Sequence, residues 1–372
     1  MKKILLTGVG ANMGGTETFV QTLVKELHHN ANFVVLAASK TEVAEADFFK
    51  KYNVRVVYLK NIFGFKSILK RPRIIESFLL KEKFDIVHIN ATSLNAAYIA
   101  KKADKLGVKV IYQVHNYSPS GYGVVAKSLT TLLAKNNRSI LKKIPDIKLV
   151  AVSEEVQEKL FGKKIKSEVI LNGVDSDVYA FNESRRRIIR EKFLISEKEV
   201  VGIMVARMTP IKNYDRAVKI ATLSIERGVL DRFYMVGDGP ERERIQKLID
   251  ELPSRIKENM YVMGERNDIP DLLTMSDVML LTSSNEGLSL SVIEGQAAGL
   301  GIVASDGVPA VTNITGKVIY ISLRVEDKVW TDAIEKMSIN NFTDRIKSNE
   351  YVLNSQFSKK IFIRKFIELY NL

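Results

Sequence analysis

Apolar residues in this chain fall in short blocks, separated by stretches whose apolar positions recur every three to four residues. Lys3-Ile4-Leu5-Leu6-Thr7 predicts a buried strand that ends in glycines. Gly14 and Gly15 then open a predicted helix through Leu27, with Phe19, Val20, Leu23, Val24 and Leu27 on one face. Further strand-like runs lie at 33–38, 54–59, 85–89, 109–114 and 149–152, with an alanine-rich helix at 95–105. The pattern restarts after residue 170, with strands at 200–206, 232–236, 260–263, 278–281 and 301–304 and helices at 214–227 and from 241. Short strands alternating with helical crossovers specify parallel sheets. The fold class is therefore α/β, with two Rossmann-like, doubly wound domains at 1–170 and 171–356. They join at Leu171-Asn172-Gly173-Val174-Asp175, and a tail helix spans about 357–372. Two such domains leave a cleft, and ligands of open α/β sheets bind beyond the carboxyl ends of the strands.

Length agrees, since 372 residues exceed what one core ordinarily holds. The absence of cysteine excludes disulfides and thiolate metal sites. Met1-Lys2-Lys3 precedes too short an apolar run for a secretory signal, and no stretch approaches a spanning helix, so a cytoplasmic protein is expected. Charge adds an asymmetry. Residues 1–170 hold 28 Lys+Arg against 14 Asp+Glu, whereas 171–372 hold 28 against 29. A net of +14 on one half attracts anionic lipid, nucleic acid or a phosphorylated substrate, and equally well serves solubility.

The strand-end loops carry the chemistry. In Gly8-Val9-Gly10-Ala11-Asn12-Met13-Gly14-Gly15-Thr16-Glu17 the backbone can approach a phosphate. The lysine of a P-loop is missing, and the spacing and acid of a dinucleotide fingerprint are missing too. His115, just past a strand, is placed either to act on a hydroxyl or to serve structure. His88, inside a strand, is expected to pack near the sheet. Arg207 and Lys212 follow the first strand of the second half and suit a diphosphate, a planar fork beside a point charge. Solvated loop cations are the plain alternative. The segment from Ser283 to Gly299 holds Glu286 and Glu294, with seven residues between them across a loop-to-helix turn, and Glu294 expected about two turns down the helix. Carboxylates accept paired sugar hydroxyls, and amides at a helix start face phosphate.

These motifs, in this order along nearly the whole chain, resemble family 4 of the glycosyltransferases, the retaining family with the GT-B fold. They include Gly14-Gly15-Thr16-Glu17, His115-Asn116, Asn172-Gly173-Val174-Asp175, Arg207 with Lys212-Asn213, Gly237-Asp238-Gly239-Pro240 and the paired glutamates. The resemblance implies that Arg207 and Lys212 bind the donor diphosphate and that Glu294 binds the ribose. It implies that Glu286 and the amides of Gly287, Leu288, Ser289 and Leu290 hold the transferred sugar. Gly15 would make room for donor phosphate, His115 would lie by the sugar's reacting face, and Arg266 would border the base. The tail helix would cross back onto the N-terminal domain. The sequence departs from the commonest family pattern at Gly295-Gln296 and Gly301, neither of which removes a charged ligand.

The expected function is transfer of a sugar from a UDP-linked donor to a lipid-linked glycan, as in bacterial capsule or exopolysaccharide synthesis. No cofactor or metal is expected: Asp175-Ser176-Asp177 spells a manganese motif of another fold but follows the hinge. Basic-apolar segments at 63–73 and 127–143 suit reversible contact with anionic membrane at its inner face. A dehydrogenase is disfavoured by the glycine loop. No nucleic-acid partner is expected, because aromatic stacking platforms are not evident. A nucleotide-sugar-binding protein without catalysis is the remaining alternative.

Overall fold

The computed structural model describes residues 1–60, 62, 67, 69–115, 124–162, 165–338 and 342–372, and for 124–132 the backbone only. Residues 63–66, including Lys66, together with Asn116, Tyr117 and the side chain of Lys127, lie outside the described residues. The chain divides into two units, Met1–Asn172 with Phe362–Leu372, and Gly173–Ile361.

The first unit is built on a parallel sheet of seven strands: β1 (Lys2–Val9), β2 (Ala31–Ala37), β3 (Arg55–Val57), β4 (Ile86–Ala91), β5 (Lys109–Val114), β6 (Lys148–Ala151) and β7 (Glu168–Val169). Their order is β3-β2-β1-β4-β5-β6-β7. Both faces are covered, so the inner strands read as unbroken apolar runs. Ile4 and Leu6 face the helix Gly15–Leu27, whereas Leu5 joins Val87, Ile89 and Tyr112 on the opposite face.

The tail helix, Lys359–Tyr370, returns to this sheet. Its residues Phe362, Phe366 and Tyr370 recur at helical spacing and are buried, and the first two meet Phe19 edge-on at 5.6 and 5.4 Å. The Tyr370 hydroxyl donates to His88 Nδ1 at 2.6 Å, and His88 Nε2 donates to Gln113 Oε1 at 3.1 Å. Burial pushes the His88 pKa down to about 3, which keeps it neutral and structural. Lys2 and Lys109 donate to the carbonyls of Tyr370 and Leu369, cations placed at a helix C-terminus where the dipole favours them.

The second unit carries β8 (Val201–Val205), β9 (Arg232–Val236), β10 (Met260–Gly264), β11 (Val278–Leu281), β12 (Gly301–Ser305) and β13 (Val318–Ile321), all parallel in the order β10-β9-β8-β11-β12-β13. Behind β8 and β11 three arginines are buried around one carboxylate. Arg186 and Arg190 reach Asp277, and Arg345 donates to Ser276 O and Ala298 O at 2.9 and 3.0 Å. They cap the ends of the helices Ile269–Met275 and Leu290–Ala297. Burial, then the neighbouring Arg186, holds the Arg345 pKa down to about 9.

The two parallel sheets agree with the expectation, except that β7 and β13 were not foreseen. The helix expected at 95–105 begins as a 3-10 turn, Leu94–Ala96, before Ala97–Lys105.

Candidate active site

In the second unit β8 and β11 are neighbours, so the loops leaving their carboxyl ends meet. The β8 loop supplies Arg207 and the turn Pro210–Lys212; the β11 loop runs from Thr282 to Ser289. Thr282 Oγ1 donates to the carbonyls of Lys212 and Asn213 at 3.1 and 2.9 Å, and the Ser284 amide donates to Ile211 O at 2.8 Å. These bonds fix one loop on the other. Lys212 Nζ and Glu286 Oε1 form an ion pair, and Ser283 Oγ donates to the same oxygen at 2.6 Å. The Arg207 side chain is exposed, and its guanidinium has no hydrogen-bond or ion-pair partner among the described residues. The amides of Gly287, Leu288 and Ser289 make no hydrogen bond among the described residues, and they precede the helix Leu290–Ala297. A cation, a held carboxylate and free amides at a helix start form a polar cradle suited to an anion with adjacent hydroxyls.

A third loop supports the first. Gly237 and Gly239 hold φ of +136° and +158°, and a Cβ on either would lie 2.0 Å from Ala206 O or 2.3 Å from Met208 O. Only glycine lets the Gly237-Asp238-Gly239 turn press on the backbone beside Arg207.

Glu294 sits one turn into its helix, not two, because Leu290 rather than the loop glycine begins it. Burial raises its pKa to about 7, and a hydrogen bond from the Tyr179 hydroxyl pulls the other way. Tyr179 ends the short helix Ser176–Tyr179. Asn349 Nδ2 ties that helix to the neighbourhood of Glu294 by donating to Ser176 O and Ala297 O at 2.6 and 3.0 Å. Sequence reasoning missed Tyr179, because its segment was weighed only for Asp175 and Asp177. Asp175 forms an ion pair with Lys359, and no cluster of three or more metal-ligating side chains exists among the described residues.

Arg266, after β10, is held in a fork by Asp268 at 2.8 and 2.5 Å. That carboxylate raises the arginine's pKa.

The departures from the family pattern have packing causes. A Cβ on Gly295 would lie 2.7 Å from Met279 Sδ, and one on Gly301 2.3 Å from Met337 O. Gln296 is buried, with its Oε1 accepting from the amides of Ile314 and Thr315 at 2.9 and 3.0 Å and its Nε2 donating to Thr312 O at 2.6 Å. It stitches the helix to the loop before β13.

In the first unit, the Glu17 carboxylate folds back on its own glycine loop and accepts from the Gly10 amide at 2.8 Å. Gly15 opens the helix beyond it, with no atom near its missing Cβ. His115 follows β5; its Nε2 bonds Asn90 Oδ1 at 2.8 Å, and Phe19 meets the ring edge-on at 4.7 Å. Burial and then His88 hold its pKa down to about 3, so the ring is neutral and Nδ1 is an acceptor. Neither Nδ1 nor Asn90 Nδ2 has a partner among the described residues. Of the basic residues expected on the surface at 127–143, Arg138 is engaged, donating to Leu160 O at 2.8 Å.

Comparison with known proteins adds to this geometry. Residues 185–350 match the family model for glycosyl transferases group 1, and residues 13–178 match that for glycosyltransferase family 4. An Escherichia coli UDP-Gal:alpha-D-GlcNAc-diphosphoundecaprenol alpha-1,3-galactosyltransferase is 29% identical over 267 residues, covering 68% of this chain and 67% of its own. Putative glycosyltransferase EpsF of Bacillus subtilis (strain 168) is 26% identical over 346 residues, with 90% and 87% covered. Among solved structures, Anabaena HepE in complex with UDP superposes with a TM-score of 0.80 at 16% identity, over 100% of both chains.

Proposed function

The chain belongs to family 4 of the glycosyltransferases, and from that premise we propose that it moves a hexose from a UDP-linked donor to a lipid-linked glycan with retention of configuration. The observation that carries this reading is the meeting of Arg207, Lys212, Ser283 and Glu286 at the ends of β8 and β11, beside free helix-start amides. Arg207 and Lys212 bind the donor diphosphate. Glu286 and the amides of Gly287, Leu288, Ser289 and Leu290 hold the sugar, and Glu294 accepts from the ribose hydroxyls. Arg266 borders the base, with its charge shared by Asp268. In the first unit Gly15 leaves room for phosphate, and neutral His115 accepts from a sugar hydroxyl through Nδ1.

In the reaction the bond from the anomeric carbon to the diphosphate breaks. The acceptor oxygen bonds to that carbon on the face just vacated, and the hydroxyl proton passes to the departing phosphate oxygen. Fixed cations and amides stabilise the growing negative charge without reorganising. No carboxylate nucleophile is required, and Glu286 is already engaged by Lys212 and Ser283. Metal independence follows the same logic: the cations neutralise the diphosphate, and Asp175 is committed to Lys359.

The lipid-linked acceptor draws support from the undecaprenol-linked substrate in the Escherichia coli relative's name and from the +14 half of the chain. Leu69 is 90% exposed beside Lys70 and Arg73, a surface suited to anionic membrane at its cytoplasmic face. No helix among the described residues is long and apolar enough to cross a membrane. The test is a panel of nucleotide sugars, followed by transfer to prenyl-diphosphate sugars with NMR of the product anomer. Transfer from a UDP-sugar with retention is expected; an inverted product, or no turnover of any nucleotide sugar, overturns the reading.

A further inference from the structure

We infer that a pocket in the first unit, at the carboxyl ends of β1, β2 and β4, receives the phosphate and adjoining hydrocarbon of the acceptor lipid. This rests on the lipid-linked acceptor proposed above. The pocket encloses about 280 Å³ between the helices Arg71–Glu82 and Ala97–Lys105. Its walls are mostly apolar, with Leu36, Ala37, Ile62, Ile75 and Ile99 beside the polar Thr7, Asn90, Asn95 and Tyr98, and Arg71 is the one charged residue among the described residues that line it. A hydrocarbon ending in phosphate matches both the walls and the cation.

Two further observations point the same way. Arg71 Nε donates to Ser67 Oγ at 2.9 Å, which orients the guanidinium and lowers the ordering cost of gripping a phosphate. Asn90 also lines the pocket; it is buried, and its Nδ2 has no partner among the described residues, so a ligand oxygen would satisfy it. Outside, Leu69, Lys70, Arg73 and Ile74 line a second depression formed by the same stretch of chain. It places a basic, partly apolar surface on the same stretch of chain as Arg71.

The test uses the full chain saturated with UDP, so that the donor site is filled, and titrates farnesyl diphosphate, farnesol and inorganic diphosphate by calorimetry. Farnesyl diphosphate should bind, and farnesol and diphosphate about tenfold or more weaker, since each lacks half of the recognition. Arg71→Gln and Ala96→Leu, the second narrowing the pocket, should each weaken farnesyl diphosphate about tenfold while leaving UDP affinity and melting temperature unchanged. Equal binding of inorganic diphosphate overturns the proposal, as does wild-type binding by both variants. If the enzyme transfers sugar to prenyl-diphosphate acceptors and both variants keep the wild-type acceptor KM, only the pocket assignment falls. If no prenyl-linked acceptor is used and farnesyl diphosphate does not bind, the lipid-acceptor reading falls with it.

Discussion

Each unit has a glycine-bearing turn between a strand and a helix, with a glutamate in it or just after it, yet the two acids do opposite things. Glu17 in the first unit is buried and turned inward onto the Gly10 amide, so it finishes its own loop. Glu286 in the second unit is held by side chains, Lys212 of the neighbouring loop and Ser283 of its own, while the amides after it stay free. A loop that satisfies its own amides with its own acid has less left for an anion. A loop whose acid is held by side chains rather than by its own amides keeps those amides for a ligand. The same residue type thus builds a scaffold in one place and a binding surface in the other.

Substitution should separate the two roles. The largest effect is expected at the second turn: Glu286→Ala or Lys212→Ala should cut kcat by roughly 10²-fold or more, the scale of a lost transition-state contact. Turnover within twofold of wild type in both would remove the assignment. Glu17→Ala should instead leave the Gly10 amide unpaired and cost about 1–3 kcal/mol in stability, read as a lower melting temperature, with donor KM unchanged. A raised donor KM at unchanged stability would make Glu17 a ligand contact and collapse the contrast.

A smaller, pH-dependent effect is expected at Glu294. Its pKa lies at about 7, and the ionised carboxylate is the better acceptor for ribose hydroxyls, so donor affinity should fall as pH drops through 7. Removing the Tyr179 hydroxyl with Tyr179→Phe takes away a bond that favours the charged form, so the fall should move to higher pH. A pH profile of donor KM for the two proteins checks this; superimposable profiles would detach Tyr179 from the site. The smallest effect is expected from Asp177→Asn or from EDTA, each of which should leave turnover unchanged, whereas loss restored by manganese would contradict metal independence.

Much of this was legible in the sequence, for a physical reason. Inner strands such as β5, β9 and β11 are buried on both faces, so their apolar runs marked them within a residue or so. The strands β7 and β13 escaped because they sit at sheet edges: β7 has two residues and opens on Glu168, and β13 follows Lys317. The residues Arg207, Lys212, Glu286 and Glu294 stood out as charges at strand ends and at a helix start. Pairings across the chain did not, since nothing local links Lys212 to Glu286 or Tyr179 to Glu294. Arg186, Arg190 and Arg345 likewise look like surface charges until folding gathers them around Asp277 and the ends of two helices. Glu294, expected about two turns into its helix, lies one turn in, because the loop runs on to Ser289.

The most direct measurement compares UDP with uridine by titration calorimetry, in wild type and in Arg207→Ala. Arg207 is placed on the diphosphate and on nothing else, so its loss should act on UDP and spare uridine. Wild type should prefer UDP, and Arg207→Ala should reduce that preference by roughly 10- to 100-fold, the worth of one charge-assisted contact of about 1.5–3 kcal/mol. An undiminished preference for UDP in the variant would contradict the placement of the donor diphosphate at the end of β8.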